Sequence, residues 1–317
     1  MQRPVIELIH ARYSCRTYRD EPIAADVRRE LAEFVASHPA GPFGSQARFA
    51  VVAAAPDDPQ ALRRLGTYGF IKGATGFLIG AVRRAPKDLE NYGYLTEQAV
   101  LFATGLGLGS CWLGGTFTKG TFAARLGGLQ ADELAPAVVS LGYAGDDGAE
   151  RIRLRETGSR RLPASSLFFV DRLGAPPVTG EPLTPGEARA HNAGTPGAAP
   201  LHADARAPGE ADSFAAVLEG VRMAPSASNK QPWRIVRTGA DWHFYLQRTK
   251  GYGKGSPIFR LLRLTDLQRV DLGIALCHFE LAAREAGLAG EWALEEPDIG
   301  ALAPGVEYTA TWRAGQV

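Results

Sequence analysis

The sequence is poor in cysteine, in unbalanced charge and in long apolar runs, and each shortage argues against a class of protein. Only three cysteines, Cys15, Cys111 and Cys277, occur in 317 residues, and no C-x-x-C pair is present. This count argues against a disulfide framework and against a zinc site. The 35 Lys and Arg residues balance the 34 Asp and Glu residues, so the charge does not suggest a nucleic-acid or membrane-surface partner.

No apolar run approaches the ~18 residues of a membrane helix, and the N-terminus lacks the apolar core of a signal peptide. We therefore expect a soluble, cytoplasmic protein. The six histidines include no H-E-x-x-H motif or i, i+4 pair, which gives no support to metal binding. Of these, His278 lies on an apolar helix face and is expected to be a hydrogen-bonded core or interface residue rather than a ligand.

Helical and strand-like segments alternate along the chain. Helical periodicity predicts helices over residues 4–16, 24–37 and 94–106, and apolar runs predict strands over 49–55, 74–82 and 135–143. Later segments repeat the plan in shortened form, with helices at 217–223 and 267–286 and strands at 233–236, 242–246 and 307–312. This alternation indicates an α+β fold with sheet flanked by helices.

The chain divides into two halves. Residues 173–211 are rich in Pro, Gly and Ala and predict a linker between a first half, residues 1–172, and a second half, residues 212–317. Residues 272–292 parallel residues 95–112, since each segment is an apolar helix that ends in Gly-Leu and is soon followed by a Trp. This weak repeat indicates an internal duplication.

Two polar motifs stand out, one in each half. Arg12, Ser14 and Arg16 could converge on one phosphate, because two arginines four apart lie on one face of a helix; the alternative is a solvated basic helix end. In the second half, Ser226 and Asn229 lie in a turn before a strand. Such a turn suits an anionic or heteroaromatic ligand, although a plain turn has the same composition.

Four patterns together resemble the FMN-dependent nitroreductase family. They are R-x-S-x-R at residues 12–16, P-S-x-x-N-x-Q-P-W at 225–233, a Gly-rich stretch with a Trp within 105–115, and R-L-P at 161–163. Ordinary members of that family are homodimers with the flavin at the subunit interface. The R-x-S-x-R pattern of each flavin site comes from one subunit, and the P-S-x-x-N pattern comes from the other. Here residues 41–49 replace the serine–asparagine loop in the first half, and the second half lacks the arginines. The chain therefore looks like a fused pseudo-dimer, similar to the TM nitroreductase branch, where TM is a label and does not mean transmembrane.

The resemblance implies a nitroreductase-like fold with one FMN between the halves. Arg12, Ser14 and Arg161 would hold the phosphate and ribityl chain, with Tyr13 in the same element, and Arg16 would stabilise charge near N1 and O2 of the flavin ring. The other expected cofactor-binding residues are Leu113, Gly114 and Gly115, in a stretch that also suits a simple turn after a helix, and Pro225, Ser226 and Asn229, which close the site from the second half.

The implied reaction is hydride transfer from NADH or NADPH to the flavin and then to an electron-poor acceptor such as a nitroaromatic or a quinone. Loops at residues 68–72 and 252–256 are expected to line the small-molecule substrate site. No catalytic acid or base, nucleic acid or membrane is implied, and one chain holds the functional unit, with a higher oligomer left open. Two alternatives remain: an FMN-binding protein with other flavin chemistry, and a degenerate, flavin-free interaction protein.

Overall fold

The computed structural model describes residues 3–54, 62, 65–67, 69–115, 117–145, 152–153, 159–174, 210–252 and 265–315. Most of the predicted linker, residues 175–209, lies outside these ranges. No helix in the described ranges is both long enough and apolar enough to cross a membrane.

The described helices are α1 (Val5–Ala11), α2 (Ala25–Ser37), α3 (Asp88–Gly105), α4 (Lys119–Ala124), α5 (Glu210–Arg222) and α6 (Leu267–Glu285). The first-half strands are β1 (Ala47–Ala53), β2 (Gly76–Arg83), β3 (Gly109–Leu113), β4 (Glu133–Leu134), β5 (Val138–Gly142) and β6 (Phe168–Val170). The second-half strands are β7 (Trp233–Thr238), β8 (Asp241–Gln247), β9 (Gly290–Ala293) and β10 (Val306–Ala314). The predicted alternation of helices and strands is confirmed.

Two five-stranded sheets share one topology. The first has the order β1-β2-β5-β3, with β4 paired to β2, and the second has the order β6-β7-β8-β10-β9. When β6 is left out, the order β1-β2-β5-β3 of the first sheet corresponds to the order β7-β8-β10-β9 of the second. Neighbouring strands in both of these series are antiparallel. The two related halves expected from the weak sequence repeat are therefore present.

The last strand of the first half lies in the sheet of the second half. Strand β6 pairs with β7 in parallel register, with Phe168 opposite Ile235. Phe168 is buried in the same core cluster as Ile235. The two halves thus interlock before the predicted linker begins.

Helices α3 and α6 cross at the centre of the molecule with their backbones in contact. A Cβ atom added to Gly93 would lie 2.1 Å from the Val270 carbonyl oxygen, and one added to Gly273 would lie 2.0 Å from the Glu90 carbonyl oxygen. Real Cβ atoms do not approach backbone so closely, so both positions require glycine. The two contacts are reciprocal: Gly93 meets the residue three positions before Gly273, and Gly273 meets the residue three positions before Gly93. This reciprocity shows the pseudo-twofold relation between the helices.

The prediction of a helix reaching residue 16 is wrong. Helix α1 ends at Ala11, and Arg12 is extended, with φ −71° and ψ 128°. The chain then runs beside β3, where Ser14 forms a parallel bridge with Ser110 and the Cys15 N–H donates to the Ser110 carbonyl at 2.9 Å. Pairing with this strand satisfies backbone groups that a longer helix would have satisfied internally.

Two further boundaries differ from the predictions. Helix α3 begins at Asp88, six residues before the predicted start at residue 94. Strand β3 was not predicted, because its first residue, Gly109, weakens the strand signal. Pairing with β5 along its whole length is a tertiary effect that overrides this local preference.

Candidate cofactor-binding site

A cavity of about 680 Å³ lies between the two halves. The first half contributes the segment after α1, the end of β3 and the residues near Arg161. The second half contributes the loop after α5 and the beginning of α6. Ten of the eleven residues predicted to bind a cofactor line this cavity: Arg12, Ser14, Arg16, Leu113, Gly114, Gly115, Arg161, Pro225, Ser226 and Asn229.

Arg12, Ser14 and Arg16 reach the cavity from an extended segment. In such a segment alternate side chains share one face, so residues 12, 14 and 16 converge without a helix. Cys15 is buried in a core cluster, and Tyr13 packs against the same cluster. Tyr13, predicted to bind the cofactor, is therefore not among the described residues that line the cavity.

Arg12 is a buried cation facing this cavity, only 3% exposed. Its Nε lies 3.8 Å from Oε1 of the fully buried Glu97, and that Nε has no hydrogen-bond partner among the described residues. Burial lowers the pKa of Arg12, and the nearby Glu97 carboxylate opposes the change. A buried guanidinium with an unused donor favours a further anion at this place.

Arg161 joins the two halves at the other side of the site. Its Nη1 donates to the Ala224 carbonyl at 2.8 Å and to Asn229 Oδ1 at 2.9 Å, while its buried Nε has no partner among the described residues. Burial and, next, the charge of Arg12 lower the pKa of Arg161 to about 10. The two arginines therefore repel each other across the cavity, and an anion between them would relieve that repulsion.

The loop from Pro225 to Gln231 is held in an unusual backbone conformation. Ser228, Asn229 and Gln231 have left-handed φ values of 52°, 53° and 48°, which are uncommon for residues other than glycine. Ser226 Oγ accepts from the Gln231 N–H at 2.9 Å, and Asn229 Nδ2 donates to the Arg160 carbonyl at 2.9 Å. Bonds to the first half thus hold this loop in its conformation.

The two glycines after β3 have different surroundings. A Cβ added to Gly114 would meet the Leu267 side chain at 2.4 Å, whereas one added to Gly115 would meet nothing within 4 Å. Gly114 therefore permits a close approach between the halves. Gly115 borders open space, where a ligand can come near the main chain.

Sequence reasoning missed several residues that line the cavity. From α6 they are Leu267, Val270, Asp271 and Ile274, and from the first half they include Arg153. From the loops predicted to line the substrate site, Phe70, Ile71 and Tyr252 line the cavity. Tyr68 and residues 253–256 of these loops lie outside the described ranges. One feature of the sequence could have indicated that α6 lines the cavity, namely the acid Asp271 on an otherwise apolar helix face.

The site combines strong positive charge with an apolar wall. Among the described lining residues, five are arginines, namely Arg12, Arg16, Arg153, Arg160 and Arg161, and one, Asp271, is a carboxylic acid. Apolar side chains of β3 and α6, such as Leu113 and Ile274, provide the wall. The Nε donors of Arg12 and Arg161, which have no partner in the described ranges, fit a phosphate. The apolar wall fits a flat, largely apolar ring system.

Comparison with known proteins agrees with this architecture. The sequence profile of the family described as "Putative TM nitroreductase" matches residues 4–176 and 205–283. A Thermotoga maritima protein described as a putative nitroreductase has a similar fold, with a TM-score of 0.53, 17% identity and coverage of 98% of this chain and 94% of that chain. This similarity shows the fold, across the full length of both chains.

Smaller proteins match about half of the chain. A Desulfovibrio desulfuricans protein described as a putative nitroreductase in complex with FMN is 23% identical, with a TM-score of 0.35, and covers 48% of this chain and 96% of its own. A Bacteroides fragilis nitroreductase with bound FMN is 25% identical, with a TM-score of 0.35, and covers 46% of this chain and 91% of its own. No curated protein sequence matches the chain significantly.

Proposed function

We propose that this chain, which belongs to the TM nitroreductase family, is an oxidoreductase that holds one FMN between its halves and passes hydride from NAD(P)H to an electron-poor acceptor. The observation that carries the proposal is the pair Arg12 and Arg161. Each has a buried Nε without a partner among the described residues, and both line the same cavity. A dianionic phosphate is the ligand that such a pair favours.

The phosphate would lie between the two arginines, with Ser14 as a third donor. Ser14 lines the cavity on the same face of the chain as Arg12, and a hydroxyl can donate to a phosphate oxygen. The Asn229 side chain holds Arg161 through its Oδ1, so the second half orients a phosphate-binding residue of the first. The site thus needs both halves.

When bound, FMN would supply the hydride chemistry at its N5 atom. The protein's part is to bind, orient and stabilise charge. Arg16 lines the cavity beside Cys111 and would stabilise negative charge that collects on the reduced ring. The main chain at Gly115 borders open space and would offer an N–H close to the ring. No acid or base from the protein is required, because the acceptor can take its protons from water.

Titration of the apo-protein with FMN and with riboflavin tests the phosphate site. The two ligands differ only in the phosphate, so two charge-assisted contacts should make FMN bind at least about a hundred-fold more tightly. Equal affinity would contradict the assignment of Arg12 and Arg161. No binding of either ligand would favour the flavin-free alternative.

Stopped-flow reduction of the bound flavin tests the reaction. Mixing the FMN complex with NADH or NADPH should bleach the flavin absorbance, and a nitroaromatic or quinone should restore it without oxygen. Reduction by one nicotinamide and not the other would identify the donor. If FMN binds but neither nicotinamide reduces it, the protein uses its flavin for other chemistry.

A further inference from the structure

Asp271 is a buried acid in the cavity wall with half of its carboxyl group unused. It is 3% exposed and lies on α6, in the second half. Its Oδ1 accepts the Ala227 N–H at 2.9 Å, which anchors the loop that carries Ser226 and Asn229. Its Oδ2 is buried and has no hydrogen-bond partner among the described residues, although the residue lines the cavity.

The first half contains a counterpart with a different side chain. The reciprocal contacts of Gly93 and Gly273 place Asn91 of α3 in the position that Asp271 has in α6. Asn91 Oδ1 accepts the Phe43 N–H at 2.9 Å, as Asp271 accepts that of Ala227. The Asn91 amide also donates, through Nδ2, to the Ser45 carbonyl at 3.1 Å. Both polar atoms of the Asn91 side chain are therefore hydrogen-bonded within the protein, whereas Oδ2 of Asp271 has no partner in the part of the chain that the structure describes.

Anchoring the loop does not by itself require an acid. The amide of Asn91 performs the same task in the other half, and a buried carboxylate is costly when it is not paired. An acid that keeps its proton, in contrast, offers an O–H donor to a ligand in the cavity. The difference between the two halves thus points to a ligand on the side of Asp271.

We propose that Asp271 holds a proton on Oδ2 and donates a hydrogen bond to an acceptor atom of the bound flavin. This inference rests on the proposed FMN site and adds a cofactor-contacting residue that none of the nitroreductase sequence patterns contains. The donated bond satisfies Oδ2 of Asp271, which has no hydrogen-bond partner among the described residues. An ionised Asp271 would lack the donor and would repel the dianionic cofactor.

The electrostatics of the free protein agree with a neutral acid. Burial raises the pKa of Asp271 well above its usual range; the hydrogen bond from Ala227 opposes the rise, and the charge of Asp266 adds to it. Among the described groups on neighbouring elements, Tyr252 has a pKa that burial, and to a lesser extent the Asp271 charge, raises, and Lys230 follows Asn229 in the anchored loop. The acids Asp88 and Glu90 pair with Arg269, Glu97 lies beside Arg12 and His278, and Glu219 pairs with Arg222. The cavity arginines are the other nearby charges.

The sign of the pH effect follows from the proton. Binding that needs protonated Asp271 is complete below the pKa of that group and weakens as pH rises through it. Asp271→Asn keeps the acceptor for Ala227 and offers an N–H donor that does not titrate. FMN has its own phosphate ionisation, which contributes equally to both proteins, so the difference between their pH profiles reports on Asp271 alone.

The test is a pH series of FMN titrations on wild type, Asp271→Asn and Asp271→Leu. We expect wild type to lose affinity at high pH relative to Asp271→Asn. We expect Asp271→Leu to bind about ten-fold more weakly at low pH, because it has neither the donor nor the acceptor for the Ala227 N–H. Asn91→Asp is the matched control: it places an acid at the equivalent position of the other half and should leave the pH profile of wild type unchanged.

Identical profiles for wild type and Asp271→Asn would overturn the inference and leave Asp271 as an anchor for Ala227 only. A wild type that binds no FMN at any pH would instead overturn the proposed function. If a variant does not fold, infrared spectroscopy of the wild-type protein alone still tests the inference. In infrared difference spectra, FMN binding should shift the C=O stretching band of a protonated carboxyl group. If no band of a protonated carboxyl group changes when FMN binds, the inference is also overturned.

Discussion

Glu97 of α3 and His278 of α6 form a hydrogen bond across the two halves, with Oε1 and Nε2 3.0 Å apart and both side chains fully buried. The other ring nitrogen, Nδ1, lies 2.8 Å from the Gly220 carbonyl. A carbonyl only accepts, so Nδ1 carries a proton. His278 is thus the hydrogen-bonded interface residue expected from sequence. The same Glu97 oxygen lies 3.8 Å from Arg12, which connects this pair to the cavity.

Glu97→Gln should destabilise the apo-protein by about 3–5 kcal/mol, because it removes the buried counter-charge of Arg12. FMN should restore more stability to this variant than to wild type, since its phosphate supplies the missing negative charge. Thermal unfolding with and without FMN measures both effects. Glu280→Gln is the control, because Glu280 accepts hydrogen bonds from Tyr94 and Trp292 in the same way; equal FMN-induced gains in the two variants would count against the role given to Glu97.

Arg12→Ala and Ser14→Ala should each weaken FMN binding. Loss of one charge-assisted phosphate contact costs on the order of 1.5–3 kcal/mol, which is about ten- to a hundred-fold in affinity. Flavin fluorescence during titration of the apo-protein gives the dissociation constants. Arg19→Ala serves as the control, since Arg19 is exposed and pairs with Glu21 at 3.0 Å. Wild-type affinity in Arg12→Ala would mean that the cavity binds no phosphate at this place.

Asn229→Ala should weaken FMN binding by about ten-fold although Asn229 lies in the second half, because the loss of one hydrogen bond to a charged group leaves Arg161 less well oriented. Arg161 Nη1 and Asn229 Oδ1 are 2.9 Å apart, so the two residues should act together. A double-mutant cycle with Arg161→Ala should therefore show strong non-additivity. Additive effects on the dissociation constant would show that Asn229 does not act through Arg161.

The protein should bind one FMN per chain and not two. The first half lacks the serine–asparagine loop, and the second half lacks the R-x-S-x-R element. A doubly charged phosphate without such donors would be buried at a high cost. Flavin released by denaturation, measured against protein concentration at saturation, should approach a ratio of one. A ratio near two would require a second phosphate site that the sequence patterns do not contain.

Gly273→Ala should disrupt the contact between the halves. The added methyl group would lie 2.0 Å from the Glu90 carbonyl oxygen. A backbone atom cannot move aside as a side-chain end can, so we expect a loss of about 3 kcal/mol of unfolding free energy, the upper end of the usual cost of overpacking. Chemical denaturation measures it. Gly105→Ala is the control, because its nearest neighbour is a Leu8 methyl carbon at 3.6 Å. Equal stability of the two variants would show that α3 and α6 can separate without cost.

The arginine motif shows why a site can be predicted from sequence while its local structure is not. Arg12, Ser14 and Arg16 are spaced by two, and the outer pair by four. A spacing of four matches one face of a helix and a spacing of two matches one face of a strand, so the residues converge in either conformation. In the structure all three side chains line one cavity. Only pairing with Ser110 of β3, a contact nearly a hundred residues away, decides that the segment is extended.

Asp271 and β6 could not be predicted from their local sequence. Asp271 was read as part of a long helix, and its burial depends on how α6 crosses α3 and meets the loop at Ala227. Strand β6 has only three residues, Phe168–Val170, and its place in the second sheet follows from tertiary pairing with β7. Helical periodicity, in contrast, predicted α2 and α6 to within one residue, because their own apolar faces define them.

The crossing of α3 and α6 has a consequence for how this protein can change over generations. In a homodimer made from one gene, every substitution appears twice, so a residue at the symmetry axis must suit both copies. In this chain each position is encoded separately. Gly93 and Gly273 are both glycine, and a methyl group at either would push the helices apart, whereas Asn91 and Asp271 differ. Separate encoding thus leaves Asn91 free to serve the scaffold alone, while Asp271, in the role proposed above, carries a proton that Asn91 does not have.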